Sequence, residues 1–258
     1  MTTGEKRLGL ALGGGAARGF AHVGVLQVLF DAGIQVHAVA GTSVGSLIGA
    51  ALAAGKTCEE ITYFGERVGW LSLARLVWPN RGFLTFLPIE KLLVEWLGDL
   101  NIEDLGMPFG CVVTDALTGN SHFFREGRLA PRVRASCSVP PIVQPVPFDD
   151  HWYVDGGLVD NLPIRYTRQL GADIVLAVNL FGPSSYLPTS FWTYSTNVIG
   201  HGLLKAGDDP LSADVLVQPE LTDYTLFGFR RHELIERGRM AMEGKLPELQ
   251  AMLAGEAP

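Results

Sequence analysis

The stretch that most constrains this chain is Gly41-Thr42-Ser43-Val44-Gly45, which follows an apolar run at 36–40 and precedes an alanine- and leucine-rich run at 47–54. That order predicts a strand, a tight turn and a helix, with a serine at the turn. Gly41 and Gly45 let backbone segments pass where a Cβ would collide, and the strained turn pushes the hydroxyl outward, the pattern of a nucleophile elbow. The helix that follows sets its positive N-terminal end beneath the reacting centre. A glycine-rich packing turn has the same local pattern, so the chemistry depends on what accompanies it.

A second unit of this kind lies upstream. Residues 8–12 are apolar and end in Gly13-Gly14-Gly15-Ala16-Ala17-Arg18-Gly19, followed by a mostly apolar segment at 20–30 that stops at Asp31-Ala32-Gly33. This predicts a strand, a glycine loop and a helix with Gly33 as its stop. Residues with little or no side chain can turn their N–H groups toward an oxyanion, and the loop opens a helix whose N-terminus favours negative charge. Successive units place the loop and Ser43 at the same C-terminal edge of a sheet, where open α/β sheets bind ligands. A dinucleotide site is disfavoured, because Arg18 stands at the third glycine position and the second strand ends in Gly41-Thr42 rather than an acidic residue. The Gly-Lys-Ser/Thr of a nucleotide phosphate loop is absent.

Further elements follow in alternation. A helix is expected at 58–68, and another from Pro88 with Ile89, Leu92, Leu93, Trp96 and Leu97 on one face. Strands at 109–114 and 121–125 form a hairpin around Thr118-Gly119-Asn120. A short helix at 129–135 ends before Pro140-Pro141, and a strand at 152–154 runs into Asp155-Gly156-Gly157. Pro163 opens a helix, 173–180 is a buried strand, 191–204 a helix in a segment of mixed composition, 215–218 a strand and 230–244 a helix. Such an order predicts a single α/β domain over 1–258 with a mainly parallel sheet. Residues 70–87, with Trp70, Leu71, Leu73, Leu76, Val77, Trp78, Phe83, Phe86 and Leu87, read either as a core-packing connection or as an apolar rim that meets lipid.

A serine nucleophile needs a base. None of His22, His37, His122, His151, His201 and His232 stands out: His22 sits one turn into the first helix as a packing residue, and His232 begins the last long one. Asp155 is better placed, at a strand end before two glycines, Gly156 and Gly157, that permit close backbone approach. Asp-Gly-Gly is also a common turn. An aspartate base starts from a reference pKa near 3.9, about 4 kcal/mol short of neutral, and partial burial would recover some of that.

Composition narrows the classes. At 258 residues, 47% hydrophobic and 18% charged, the chain supports a sizeable core. A net charge of −7 argues against nucleic-acid partners and against electrostatic docking on anionic lipid. No window offers the roughly 18 apolar residues of a membrane span. The first residues hold a short apolar piece broken by glycines rather than a signal-peptide core. Cys58, Cys111 and Cys137, widely spaced, read as buried free thiols of a reducing cytoplasm.

Four stretches in order resemble the patatin-like phospholipase family, especially its small bacterial members and the catalytic domain of neuropathy-target-esterase-type proteins. They are 12–19 with 21–26, Gly41-Thr42-Ser43-Val44-Gly45, Ala135-Ser136-Cys137-Ser138-Val139-Pro140, and Asp155-Gly156-Gly157 with Asn161 and Pro163. The resemblance implies a three-layer α/β/α patatin-type fold and hydrolysis of lipid acyl esters, phospholipid or lysophospholipid, by a Ser–Asp dyad with no metal or other cofactor. By position, Ser43 is the nucleophile and Asp155 its base. The amides around Gly14, Gly15 and Ala16 form the oxyanion hole, with Gly13, Arg18 and Gly19 in the same motif and Arg18 holding the loop's shape. Many members carry glycine where Ala16 stands, so the loop either keeps Ala16 in an ordinary conformation or stores strain. The reading from another class is a regulatory or binding protein on the same scaffold with vestigial chemistry.

Overall fold

The computed structural model describes residues 6–67, 74–78, 81–148, 150–182, 186–226, 228 and 230–255. The chain opens with β1 (Leu8–Leu12), a short 3-10 turn at Ala16–Gly19, α1 (Phe20–Asp31), β2 (Ala38–Thr42) and α2 (Val44–Ala53). Then come α3 (Cys58–Arg67), β3 (Arg75–Leu76), β4 (Leu84–Thr85), α4 (Leu87–Leu97), β5 (Phe109–Asp115), β6 (Ser121–Phe124) and α5 (Leu129–Ser136). The second half holds β7 (Val146–Phe148), β8 (His151–Asp155), α6 (Ile164–Gln169), β9 (Ile174–Val178), α7 (Phe191–Leu204), β10 (Val215–Val217), α8 (Arg231–Glu243) and α9 (Leu246–Ala254). The second strand lies two residues later than the apolar run suggested, because Gly41 and Thr42 stay in the ladder.

The main sheet runs β10-β9-β1-β2-β5-β8-β7, with β6 also on β5. Strands β10, β9, β1, β2 and β5 are mutually parallel. The pairings of β6, β7 and β8 are antiparallel, so the sheet is mixed, its parallel part carrying the two strand-loop-helix units.

Strand periodicity makes the two faces unequal. Leu8, Leu10, Leu12, Val39, Ile174, Leu176 and Val178 join the main core. Ala11, Val175 and Ala177 meet Leu162 and Ile164 on the other face. The small residues there let α6 sit close against β1: a Cβ on Gly9 would stand 2.5 Å from Thr167 and Ala172 side-chain carbons. On the bulky face α1 crosses α8 at near backbone contact. A Cβ on Gly24 would lie 2.0 Å from the Ile235 carbonyl oxygen, and one on Gly238 2.0 Å from that of Ala21.

Residues 70–87 divide. Trp70, Leu71 and Leu73 lie outside the described residues. Phe86 joins the core, whereas Leu76, Trp78 and Phe83, on and around the β3–β4 pair, are 86%, 89% and 58% exposed. Cys58, Cys111 and Cys137 are free and buried, and burial raises each thiol's pKa, which keeps them unreactive.

Candidate active site

Register along β5 brings the two halves of the site together. Parallel β2 pairs with one edge of β5 as far as Thr42 opposite Val112, and antiparallel β8 ends with Asp155 opposite Val113. Strand β6 takes the other edge across Cys111–Thr114, so β2 and β8 meet end to end. Thr42 and Asp155 therefore face consecutive residues of one strand, and Ser43 is the next residue of the chain.

Ser43 sits at φ +53°, ψ −124°, outside the comfortable regions for a residue with a Cβ. The turn is held on both sides. The Ser43 N–H donates to Ser136 Oγ at 2.9 Å, whose hydroxyl donates to the Val112 carbonyl at 2.7 Å. The Ser43 carbonyl accepts the Ser46 N–H at 2.9 Å and the Ser46 hydroxyl at 2.6 Å. The elbow glycines are sterically required: a Cβ on Gly45 would lie 2.1 Å from the Leu12 carbonyl oxygen, and one on Gly41 2.4 Å from that of Gly45.

Asp155 is buried, 5% exposed. Its N–H donates to the Ser138 carbonyl at 2.9 Å, and its own carbonyl accepts the Thr114 hydroxyl at 2.8 Å. Oδ1 accepts the Gly157 N–H at 2.8 Å, while Oδ2 is buried without a conventional partner. Burial lifts the carboxyl pKa to about 6, against the smaller opposing pulls of the Ser43 hydroxyl and the Gly157 N–H. The Ser43 hydroxyl is near enough to favour the ionised carboxylate.

The glycine loop closes the third side. A Cβ on Gly14 would stand 3.1 Å from Ser43 Cβ and 2.6 Å from Asn161 Oδ1. Gly13 donates to the Val178 carbonyl at 3.1 Å, Gly14 to that of Asn161 at 3.3 Å and Ala17 to that of Leu226 at 2.9 Å. Of the three amides expected to serve an oxyanion, Gly14's is thus occupied. Among the described residues, the N–H groups of Gly15 and Ala16 have no intramolecular acceptor. Ala16 takes φ +48°, the strained alternative for an alanine in this loop.

Two buried side chains fix the loop. Arg18, 1% exposed, donates to the Tyr224 carbonyl twice, at 3.0 and 2.7 Å, to the Leu180 carbonyl at 3.1 Å and to Asn197 Oδ1 at 2.7 Å. Burial lowers its pKa to about 10, which leaves it cationic at neutral pH. His22, fully buried, stands 2.8 Å from the Gly13 carbonyl through Nε2, and burial pushes its pKa down to about 4. A neutral imidazole donates there and holds the strand-to-loop junction, as its place in the first helix suggested.

Ser136 and Asn161 were not singled out for roles by the sequence. Ser136 bonds a backbone group 93 positions away, which no local pattern reveals; the sole signal was its presence in the third matching stretch. Asn161, 2% exposed, places Oδ1 between Gly14 and Gly157 and leaves Nδ2 unpartnered.

A sequence model described as patatin-like phospholipase matches residues 10–168. The chain belongs to the patatin-like phospholipase family. Within it, the chain is 36% identical over 179 residues to an uncharacterized NTE family protein of Mycobacterium tuberculosis, covering 68% of this chain and 49% of that one. It is 34% identical over 183 residues to a lysophospholipase of Aspergillus fumigatus, covering 68% of this chain and 12% of that protein. The chain thus spans about half the length of the mycobacterial relative. Among solved structures, VipD from Legionella pneumophila superposes with a TM-score of 0.66 at 15% identity, over 95% of this chain and 67% of that one. That likeness establishes the patatin-type α/β fold.

Proposed function

We propose that this patatin-like chain is a serine hydrolase of lipid acyl esters, with phospholipids or lysophospholipids as the substrate class. Asp155 accepts the Ser43 proton as the hydroxyl oxygen attacks the ester carbonyl carbon. The negative charge on the tetrahedral intermediate falls to the Gly15 and Ala16 N–H groups, each such donor being worth about 3 kcal/mol. Asp155 then gives the proton to the departing alcohol, leaving an acyl group on Ser43. Water, deprotonated by Asp155, attacks that acyl group and releases the fatty acid and the free serine.

The observation that carries this reading is the end-to-end meeting of β2 and β8, which sets Ser43 beside a carboxylate with a pKa near 6, facing a loop with two unused amides. Such a carboxyl is ionised at neutral pH and keeps far more proton affinity than a surface aspartate. Family membership and a lysophospholipase among the relatives support the substrate class.

No helix among the described residues is long and apolar enough to cross a membrane. Lipid is reached peripherally in this reading, through the exposed Leu76, Trp78 and Phe83, and the buried free thiols suit a cytoplasmic setting. The test is turnover of p-nitrophenyl acyl esters by wild type and Ser43→Ala. The variant loses at least ~10³-fold in kcat if Ser43 is the nucleophile; undiminished turnover removes the mechanism.

A further inference from the structure

Helix α7 is amphipathic the wrong way round. Its packed face is polar: Thr193, Thr196 and Asn197 are buried, and Gly200 is seated where a Cβ would collide with the Phe181 ring. Its outer face is apolar: Phe191 and Trp192 are 70% exposed and Ile199 58%, with Tyr194 and Val198 also exposed. Among the described residues none of its side chains joins the apolar core, whereas a surface helix ordinarily turns its apolar stripe inward. Hydrogen bonds attach it instead. Asn197 accepts from Arg18 at 2.7 Å and donates to the Thr222 carbonyl at 2.9 Å. Exposed Leu187 shares a solvent-open cleft with Tyr194 and Val198, which extends the apolar face beyond the helix.

We propose that this face docks on a zwitterionic phospholipid bilayer and so presents the active-site edge of the sheet to the membrane. The inference rests on the hydrolase reading above and adds the surface by which the enzyme meets a bilayer. Three observations choose lipid as the occupant. The first is charge: residues 191–204 include no Asp, Glu, Lys or Arg, in a chain of net charge −7. An uncharged apolar face gains by leaving water for a neutral interface, while the acidic whole is repelled by an anionic one. The second is ring chemistry, since Trp192 and Tyr194 each join an apolar body to a polar tip and suit the headgroup level. The third is position. Strand β9 ends with Val178 beside Leu12 of β1, and the Val178 carbonyl accepts the Gly13 N–H, so the chain leaves β9 for α7 at the glycine loop. Asn197 then holds Arg18 of that same loop. A bilayer against α7 therefore meets the molecule at the edge that carries the loop and Ser43.

The test uses Trp192→Ser/Ile199→Ser, two exposed positions where polar residues disturb folding little. Phe191→Ser is the second variant if the pair does not fold. Co-sedimentation with phosphatidylcholine vesicles is measured in a Ser43→Ala background, so that no lipid is consumed. The substitutions lower the bound-to-free ratio about tenfold or more, because apolar burial in the interface is lost. With Ser43 present, the rate on p-nitrophenyl palmitate carried in the vesicles falls by a similar factor relative to that on soluble p-nitrophenyl acetate. Equal vesicle binding with and without the substitutions overturns the docking and leaves the hydrolase intact. Vesicle binding that depends on them, with no turnover of either ester, overturns the hydrolase and leaves the docking. Sedimentation equilibrium without lipid supplies the last outcome: a dimer that the substitutions dissociate assigns the face to a second copy and overturns the docking as well.

Discussion

At the residue scale, Asp155 works against the fold that holds it. Its carboxyl has a pKa near 6 where the ordinary value is 3.8, so the folded chain binds its proton more tightly than the unfolded chain does. Below about pH 3.8 both states are protonated and nothing is lost. As pH rises through 6 the penalty grows to about 3 kcal/mol and then stays constant. Asp155→Asn removes that ionisation, so it is expected to stabilise the protein by up to about 3 kcal/mol at pH 8, with the gain vanishing near pH 4, while hydrolysis collapses. Urea denaturation at the two pH values checks this. In wild type, kcat/KM falls below about pH 6 as the base protonates. Ala16 is a smaller instance of stored strain: at φ +48° an alanine costs ~1–2 kcal/mol, partly balanced by glycine's greater unfolded entropy, so Ala16→Gly gains about 0.5–1 kcal/mol by the same assay.

Among elements, what the sequence revealed depended on whether the interaction was local. Gly41, Ser43 and Gly45 marked a tight strand-to-helix turn because the pattern is local, though a packing turn shares it, and 2.1 Å between a hypothetical Gly45 Cβ and the Leu12 carbonyl oxygen explains the demand for glycine. Helix α7 was legible even in a segment of mixed composition. The strands β3, β4 and β7, two or three residues each, carry too little pattern to be seen. That Gly14's amide is spent on the Asn161 carbonyl, and that Ser136 holds the Ser43 N–H, depends on partners far off in the chain. The α1–α8 crossing is of the second kind: Gly24 and Gly238 each meet a backbone carbonyl far off in the chain. Gly238→Val forces the helices apart and is expected to cost about 1–3 kcal/mol or more, read as a lowered urea midpoint.

At the scale of the whole molecule, the sheet divides its labour. The parallel strands bring the glycine loop and the elbow to one edge, and the antiparallel β8 runs the opposite way to deliver Asp155 to the same place. The sequence implied a mainly parallel sheet; the reversal of β8 is what lets a residue in the second half reach one in the first. Exposed Leu76, Trp78 and Phe83 follow from the same economy, since Phe86 alone of the aromatics in the described part of 70–87 is needed for the core. Trp78→Ser/Phe83→Ser is expected to lower co-sedimentation with neutral phosphatidylcholine liposomes several-fold. Equal binding by the two proteins argues against a lipid-facing rim.

The measurement closest to the central claim is the site and rate of covalent labelling by a fluorophosphonate at pH 8, mapped by peptide mass spectrometry in wild type and Asp155→Asn. The account predicts a single adduct on Ser43 in wild type, forming at least ~100-fold more slowly without the aspartate. An adduct on another residue, or equal rates in the two proteins, contradicts it.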